Sequence, residues 1–227
     1  MPAWQRKLTV LCGLLGPFFL TATCVITALP YRGEKGEAYS PLNHFISELG
    51  IIGVSKFAAL FNDCLTLNGL IIVVFMAGLG RHLQTKTAYV AAVAGIASGI
   101  VSSVVGRIPM NDLKPHLEAA FYFFSSGLLA IGLFSFAIAR DRESRLPKWL
   151  VVPGVLAFAS FAAFLAYPLA TGQTPIEIVR ISRTARPDIW AIAIFEWLVF
   201  ATVTAWIVLV AACIWKKSRT DETPVLL

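Results

Sequence analysis

An all-α fold, a polytopic transmembrane bundle of six spans, is what this sequence predicts, and three observations predict it. Six long apolar runs recur along 227 residues, 57% of the residues are hydrophobic against 14% charged, and the mean hydropathy is +0.74. A hydrocarbon core of about 30 Å takes about 20 helical residues at about 1.5 Å each, and every run meets or nearly meets that length. The runs are continuously apolar, not alternating. Within lipid each backbone N–H and C=O needs a partner inside its own segment, so these runs read as helices and not as barrel strands. Too little polar surface remains for a water-soluble globule, and one transmembrane domain over residues 1–227 is expected.

The first run, 8–29, outlasts a secretory h-region and has no small-x-small cleavage site before Tyr31, so it reads as a span. The second covers 51–80 and the third 88–106. In the third, Gly95, Gly99 and Ser103 recur at every fourth position, which lets helix backbones approach closely and predicts a central place in the bundle. The fourth run is 119–139, the fifth 149–170 and the sixth 188–215. Pro17 and Pro153 lie inside runs and predict kinks. Cys12, Cys24, Cys64 and Cys213 all fall inside runs, where they serve as small apolar packers and not as a disulfide framework.

Charge sets the expected topology. The formal net charge of +6 sits mostly at span ends, where its partner is anionic lipid headgroup and not nucleic acid. One set of connectors carries Arg6, Lys7, Arg81, Lys86, the basic residues of 140–148, and Lys216, Lys217 and Arg219. The opposite set carries fewer and mixes them with acidic residues. The positive-inside rule then places both termini in the cytoplasm of a multi-pass cell-membrane protein.

Polar groups inside or beside apolar runs need a reason. Asp63, flanked by Asn62, reads as deep in the second span, where a carboxylate costs at least about 2.5 kcal/mol unless it meets a cavity, a partner or a proton. The bland reading is structural glue with Asn62 or Arg107. Glu196 lies about two turns into the sixth span, either functional or reaching toward interface water. Ser40 as N-cap, Pro41 at N1 and Gly50 beyond the end predict a short interfacial helix over 41–49. Such a helix puts His44 and Glu48 one turn apart on one face, with Asn43 and Ser47 beside them. Asp112 and His116 have the same spacing at the start of the fourth span; a carboxylate fixing an imidazole suits a general base, whereas the plainer reading makes Asp112 a cap. Arg107, Arg180, Arg183 and Arg186 share the side of the membrane that carries His44 and His116.

The sequence has no H-E-x-x-H, no G-x-S-x-G and no Walker loop, and three histidines make a poor metal inventory; no metal and no cofactor is assigned. A zinc site at His44, His116, Asp63 and Asp112 stays open as an alternative.

The stretch from Tyr39 to Gly50 (YSPLNHFISELG), then Leu60-Phe61-Asn62-Asp63 with Gly69-Leu70, then Arg107-Ile108-Pro109-Met110-Asn111-Asp112 and His116 before Ala119-Ala120-Phe121, resembles the membrane family called domain of unknown function 998. That family in turn resembles the FRAG/DRAM/Sfk-like proteins. The resemblance implies six helices and a lipid-related role, and it names no reaction.

The expected function is therefore binding of a lipid headgroup or lipid-linked substrate in a polar cavity on the outer face. Asn43, Ser47, Glu48, Asn62, Arg107, Arg180, Arg183, Arg186 and Glu196 are its candidate contacts, since guanidinium forks suit phosphate. Any chemistry falls to His44, Asp63, Asp112 and His116. Two alternatives stay open. One is a small proton-coupled carrier using Asp63 and Glu196; the other is a noncatalytic scaffold.

Overall fold

The computed structural model of the chain describes residues 1–222, with side chains to residue 218, so the Arg219 side chain of the charge census lies outside it. Among the described residues there are seven α-helices and no strand. Six are long and apolar enough to cross a membrane. They are α1 (Ala3–Ala28), α2 (Ala58–Leu83), α3 (Lys86–Arg107), α4 (Leu113–Arg140), α5 (Val151–Thr171) and α7 (Ala191–Glu222). The seventh, α6 (Pro175–Thr184), is a short helix between α5 and α7.

Each spanning helix packs on its neighbour in sequence, α5 packs on α7, and α7 closes back onto α1. The result is a ring with no central helix. Helix α3 is accordingly part of the wall between α2 and α4, not the centre that its small residues predicted. Those residues do permit close approach: a Cβ on Gly99 would stand 2.7 Å from the Gly69 carbonyl oxygen and 3.0 Å from Val73 N. Ser103 Oγ donates across the same contact to the Thr66 carbonyl at 2.8 Å. Between lipid-solvated helices no hydrophobic force favours association, so packing and such bonds hold the seam.

The helix ends follow local chemistry. Gln84, in the left-handed region at φ 52°, ends α2, and Thr85 caps α3 by accepting from Ala88 N at 3.1 Å. At the far end of α4, Lys148 Nζ donates to the carbonyls of Ile138, Ala139 and Asp141 at 3.1, 2.6 and 2.8 Å. An ammonium there satisfies carbonyls that the helix leaves open. Pro153 sits in the first turn of α5, where its missing N–H leaves no bond unmade, and α1 runs unbroken across Pro17. Neither proline interrupts its helix.

The main displacement from expectation is at α2, which begins at Ala58 and not near residue 51. Residues 51–57, apolar but for Ser55 and Lys56, turn: Val54 N and Ser55 N both donate to the Ile51 carbonyl, and Gly53 lies at φ +89°. Asp63 therefore stands about 7.5 Å from the start of its helix and not near the bilayer centre.

The half of the ring nearer the chain termini is filled by Phe75, Leu79, Phe134, Ile138, Trp206 and Ile214, all fully buried. Outside, Leu67, Val93, Phe121 and Leu129 are exposed, the apolar girdle that a bilayer covers. At the opposite end, residues 30–57 and α6 form a cap, and the ring beneath it is hollow.

Candidate functional site

In the cap, residues 30–57 form turns and one 3-10 helix, not the helix expected over 41–49. Ser40 starts a tight turn: its carbonyl accepts from Asn43 N and His44 N, and its Oγ accepts from Leu42 N. Phe45 is extended, and a 3-10 helix follows at Ile46–Gly50. His44 and Glu48 thus share no helical face. The chain is held in this path by long-range bonds: Asn43 Nδ2 donates to the Pro187 carbonyl at 3.0 Å, Trp190 N to the Leu42 carbonyl at 2.8 Å, and Tyr39 Oη to the Phe45 carbonyl at 2.9 Å.

One buried ion pair fastens the cap. Arg186 Nη1 and Nη2 donate to Glu48 Oε1 and Oε2 at 2.9 and 2.6 Å, and Nη1 also donates to the Asn43 carbonyl at 2.7 Å. Glu48 Oε1 accepts from Phe45 N as well. The two side chains are 13% and 4% exposed. Burial works against the Arg186 charge, but the Glu48 carboxylate outweighs it and holds the guanidinium above its ordinary pKa. Arg186 therefore spends its fork on Glu48, not on a ligand.

His44 is 2% exposed and lies among aromatic rings, 5.5 Å between centroids from Tyr31 and 5.1 Å from Tyr39. Its Nδ1 is 2.8 Å from Asn43 Oδ1. Asn43 Nδ2 is committed to Pro187, so its amide oxygen faces the ring, and we assign the Nδ1 hydrogen to that shorter contact, although the Ser40 amide N–H also points at Nδ1 from 3.3 Å. Nε2 then carries a lone pair, is buried, and has no hydrogen-bond partner. Burial lowers the imidazole pKa, against an opposing pull from Glu48.

Two cavities lie above one another here. The vestibule, about 370 Å³, is lined by Tyr31, Glu37, His44, Glu48, Arg183 and Arg186 among others. Beneath it an axial cavity of about 160 Å³ takes its lining from all six spanning helices and from Ile46 and Ser47 of the cap. That lining is mostly apolar, with His116, Glu196 and Asn68 as polar points. Glu196 Oε2 accepts from Ile46 N at 2.7 Å, so a carboxylate on α7 holds the cap from below. Asn68 Oδ1 is buried without a partner. Ser47 lines the axial cavity and Met110 the vestibule, and Ser47 Oγ donates to Met110 Sδ at 3.1 Å. At that point the linings of the two spaces touch.

The remaining sequence candidates are dispersed. Asp63 and Arg107 pair at 3.1 Å on the ring exterior, with side chains 67% and 66% exposed, apart from both cavities. Asp112 occupies the N-cap position of α4, is exposed, and makes no side-chain cap bond. His116 is buried, lines the axial cavity, and has Nδ1 2.6 Å from the Ile108 carbonyl, not bonded to Asp112. Asn62 donates to the Gly50 carbonyl at 3.0 Å and joins the cap to α2. Arg183 lines the vestibule, whereas Arg180 is exposed outside it. His44 and His116 line different cavities, and Asp63 and Asp112 line neither, so these four do not form a zinc ligand set. Among the described residues no three His, Cys, Asp or Glu converge as metal ligands.

A family model described as "Protein of unknown function (DUF998)" matches residues 14–213. The chain belongs to this family. Comparison with curated proteins and with solved structures returned no match.

In this DUF998 member Tyr31, Glu37, Tyr39 and Trp197, none of them among the sequence candidates, complete the surroundings of His44. Glu37 Oε1 is 3.9 Å from His44 Nε2, and Trp197 Nε1 donates to the His44 carbonyl at 3.3 Å. For Tyr31, Glu37 and Tyr39 the signal was the density of aromatic and acidic residues in the first long connector; Trp197, inside the sixth apolar run, carried none. Helix α6 was likewise unexpected, although Thr174-Pro175-Ile176-Glu177 is a capping box: Glu177 N donates to Thr174 Oγ1 at 3.3 Å, and Glu177 Oε2 accepts from Thr174 N at 2.7 Å.

Proposed function

We propose that this protein binds an amphiphile at the capped end of its helix ring, with the polar head in the vestibule and the apolar portion in the axial cavity. The observation that carries the reading is a polar cavity and a mainly apolar one whose linings touch at Met110 and Ser47. Met110 is unbranched and adaptable, so a rotamer change there joins the two spaces. Charge supports a capped end facing away from the cytoplasm, which puts the vestibule at the outer leaflet.

Binding is favoured over acid–base catalysis because Asp63 and Asp112 are exposed at separate places and His116 lies in a different cavity from His44. It is favoured over a through-carrier because the ring interior nearer the termini is packed with apolar side chains. The unpartnered His44 Nε2 and Asn68 Oδ1 speak against a purely structural cluster.

The experiment is lipid retention. Ala120 and Thr204 line the axial cavity from α4 and α7, and Ala120→Phe or Thr204→Phe fills it. Purified in mild detergent and weighed intact by mass spectrometry, the parent chain carries bound lipid and each filled variant carries less. Equal lipid complements in all three contradict the reading.

A further inference from the structure

We propose that the vestibule binds a primary ammonium group, seated between His44 Nε2 and Glu37 Oε1 beside Tyr31. This deepens the amphiphile reading by naming the head group, and it rests on that reading only where a lipid carries the ammonium.

The argument starts from two facing acceptors. With the hydrogen on Nδ1, His44 Nε2 offers a lone pair, and an ionised carboxylate can only accept. The two atoms are 3.9 Å apart, too far for a bond between them and close enough for one donor to reach both once the partly exposed Glu37 side chain moves to uncover Nε2, which has no free surface as it stands. A nitrogen about 2.9 Å from each subtends an angle of about 85°, which two N–H bonds of one ammonium can serve. A trimethylammonium has no N–H and cannot make this bridge.

Glu37 is set for the role by its own loop. Lys35 N donates to its Oε2 at 2.9 Å, which leaves Oε1 toward His44. Its carboxylate lies over Gly33, where any Cβ would overlap it. The Gly33 amide donates to the Glu37 carbonyl at 2.9 Å and closes the turn. Burial keeps the imidazole neutral, so it stays an acceptor near neutral pH. Tyr31, 1% exposed, adds an aromatic wall of the kind that suits a cation. Around this point Glu34 and Asp188 add negative charge, and Lys35 and Arg183 provide cations for a phosphate. A phosphoethanolamine group meets partners at both of its ends.

The test adds short-chain phosphatidylethanolamine, phosphatidylcholine and phosphatidylglycerol with identical chains, and separately free ethanolamine, to the full chain in detergent. Affinity is read from the shift of the thermal midpoint with concentration. The ethanolamine lipid is expected to bind about tenfold or more tightly than the choline lipid, as fits loss of a charge-assisted bond. Glu37→Gln and His44→Phe are expected to remove that preference, Glu37→Gln being the safer variant because its side chain is a third exposed. Free ethanolamine competing as well as the lipid supports the ammonium site and assigns it to a soluble amine. Equal binding of all three lipids, unaltered by Glu37→Gln, overturns the ammonium proposal and leaves the amphiphile reading standing. Failure of every lipid overturns the amphiphile reading, and failure of free ethanolamine as well overturns both.

Discussion

Breaking the Arg186–Glu48 pair is expected to loosen the whole cap. Arg186→Met removes three bonds, two to the Glu48 carboxylate and one to the Asn43 carbonyl, and leaves Glu48 without a countercharge, held by Phe45 N and the Tyr31 hydroxyl. Bonds to charged groups contribute about 1.5–3 kcal/mol each, and a buried charge that has lost its partner costs about 3–5 kcal/mol. With Glu48 at 4% exposure, solvent can do little to compensate. The expected loss is therefore about 3 kcal/mol or more for Arg186→Met alone. Glu48→Gln alone should cost a comparable amount, because it strands the guanidinium. The double variant removes both charges and should lose clearly less than the sum, by about 2 kcal/mol. Reversible unfolding of the micelle-bound protein with a denaturing detergent measures all four corners of this cycle. Single losses below about 1 kcal/mol, or an additive double variant, would refute the reasoning that this pair fastens the cap.

Three further outcomes are expected. In a background lacking the native cysteines, a membrane-impermeant thiol reagent added outside should label cysteine placed at Lys35 or Thr174 and not at Arg142; the reverse pattern would move the vestibule to the cytoplasm. Asp63→Asn and Asp63→Ala should both cost within about 1 kcal/mol and leave bound lipid unchanged, because the pair with Arg107 is exposed; a large loss in melting temperature would contradict that placement. For His44 the folded-state pKa lies below the ordinary value of 6.5, so the unfolded chain binds the proton more readily. Its contribution is fully present above pH 6.5 and is lost as pH falls through the lowered folded pKa, with Glu37, Glu48, Arg186, Tyr31 and Tyr39 around it shaping the window. His44→Phe should reduce the fall in melting temperature between pH 7.5 and 5, and an unchanged slope would contradict it.

The spans were legible because length and continuous apolarity are stringent in lipid, and close helix approach could be read from Gly95, Gly99 and Ser103, though not which neighbour α3 approaches or that it stands in the wall. Helix boundaries were not legible where apolar residues form turns. Residues 51–57 have the composition of a span, and only Gly53 at positive φ and the turn bonds to Ile51 stop the helix there. That shift carried Asp63 from an apparent depth to the rim. The cap misled in the opposite way. Ser40, Pro41 and Gly50 are good helix signals, but bonds from Asn43 to Pro187 and from Arg186 to Glu48, more than a hundred residues apart, select a turn and a 3-10 helix instead. No local pattern holds that information. Arg186 was singled out for phosphate for the same reason: its residue type is visible in sequence, and its buried partner is not.

The central claim, that an apolar chain occupies the ring interior, is tested most directly by photo-crosslinking. A phospholipid with a diazirine in its acyl chain is incorporated with the protein into bilayers and irradiated, and adducts are mapped by peptide mass spectrometry. Adducts on Leu65, Phe123 and Val203, which line the axial cavity from α2, α4 and α7, are predicted. Adducts confined to Leu67, Val93, Phe121 and Leu129, which face outward, would contradict the account.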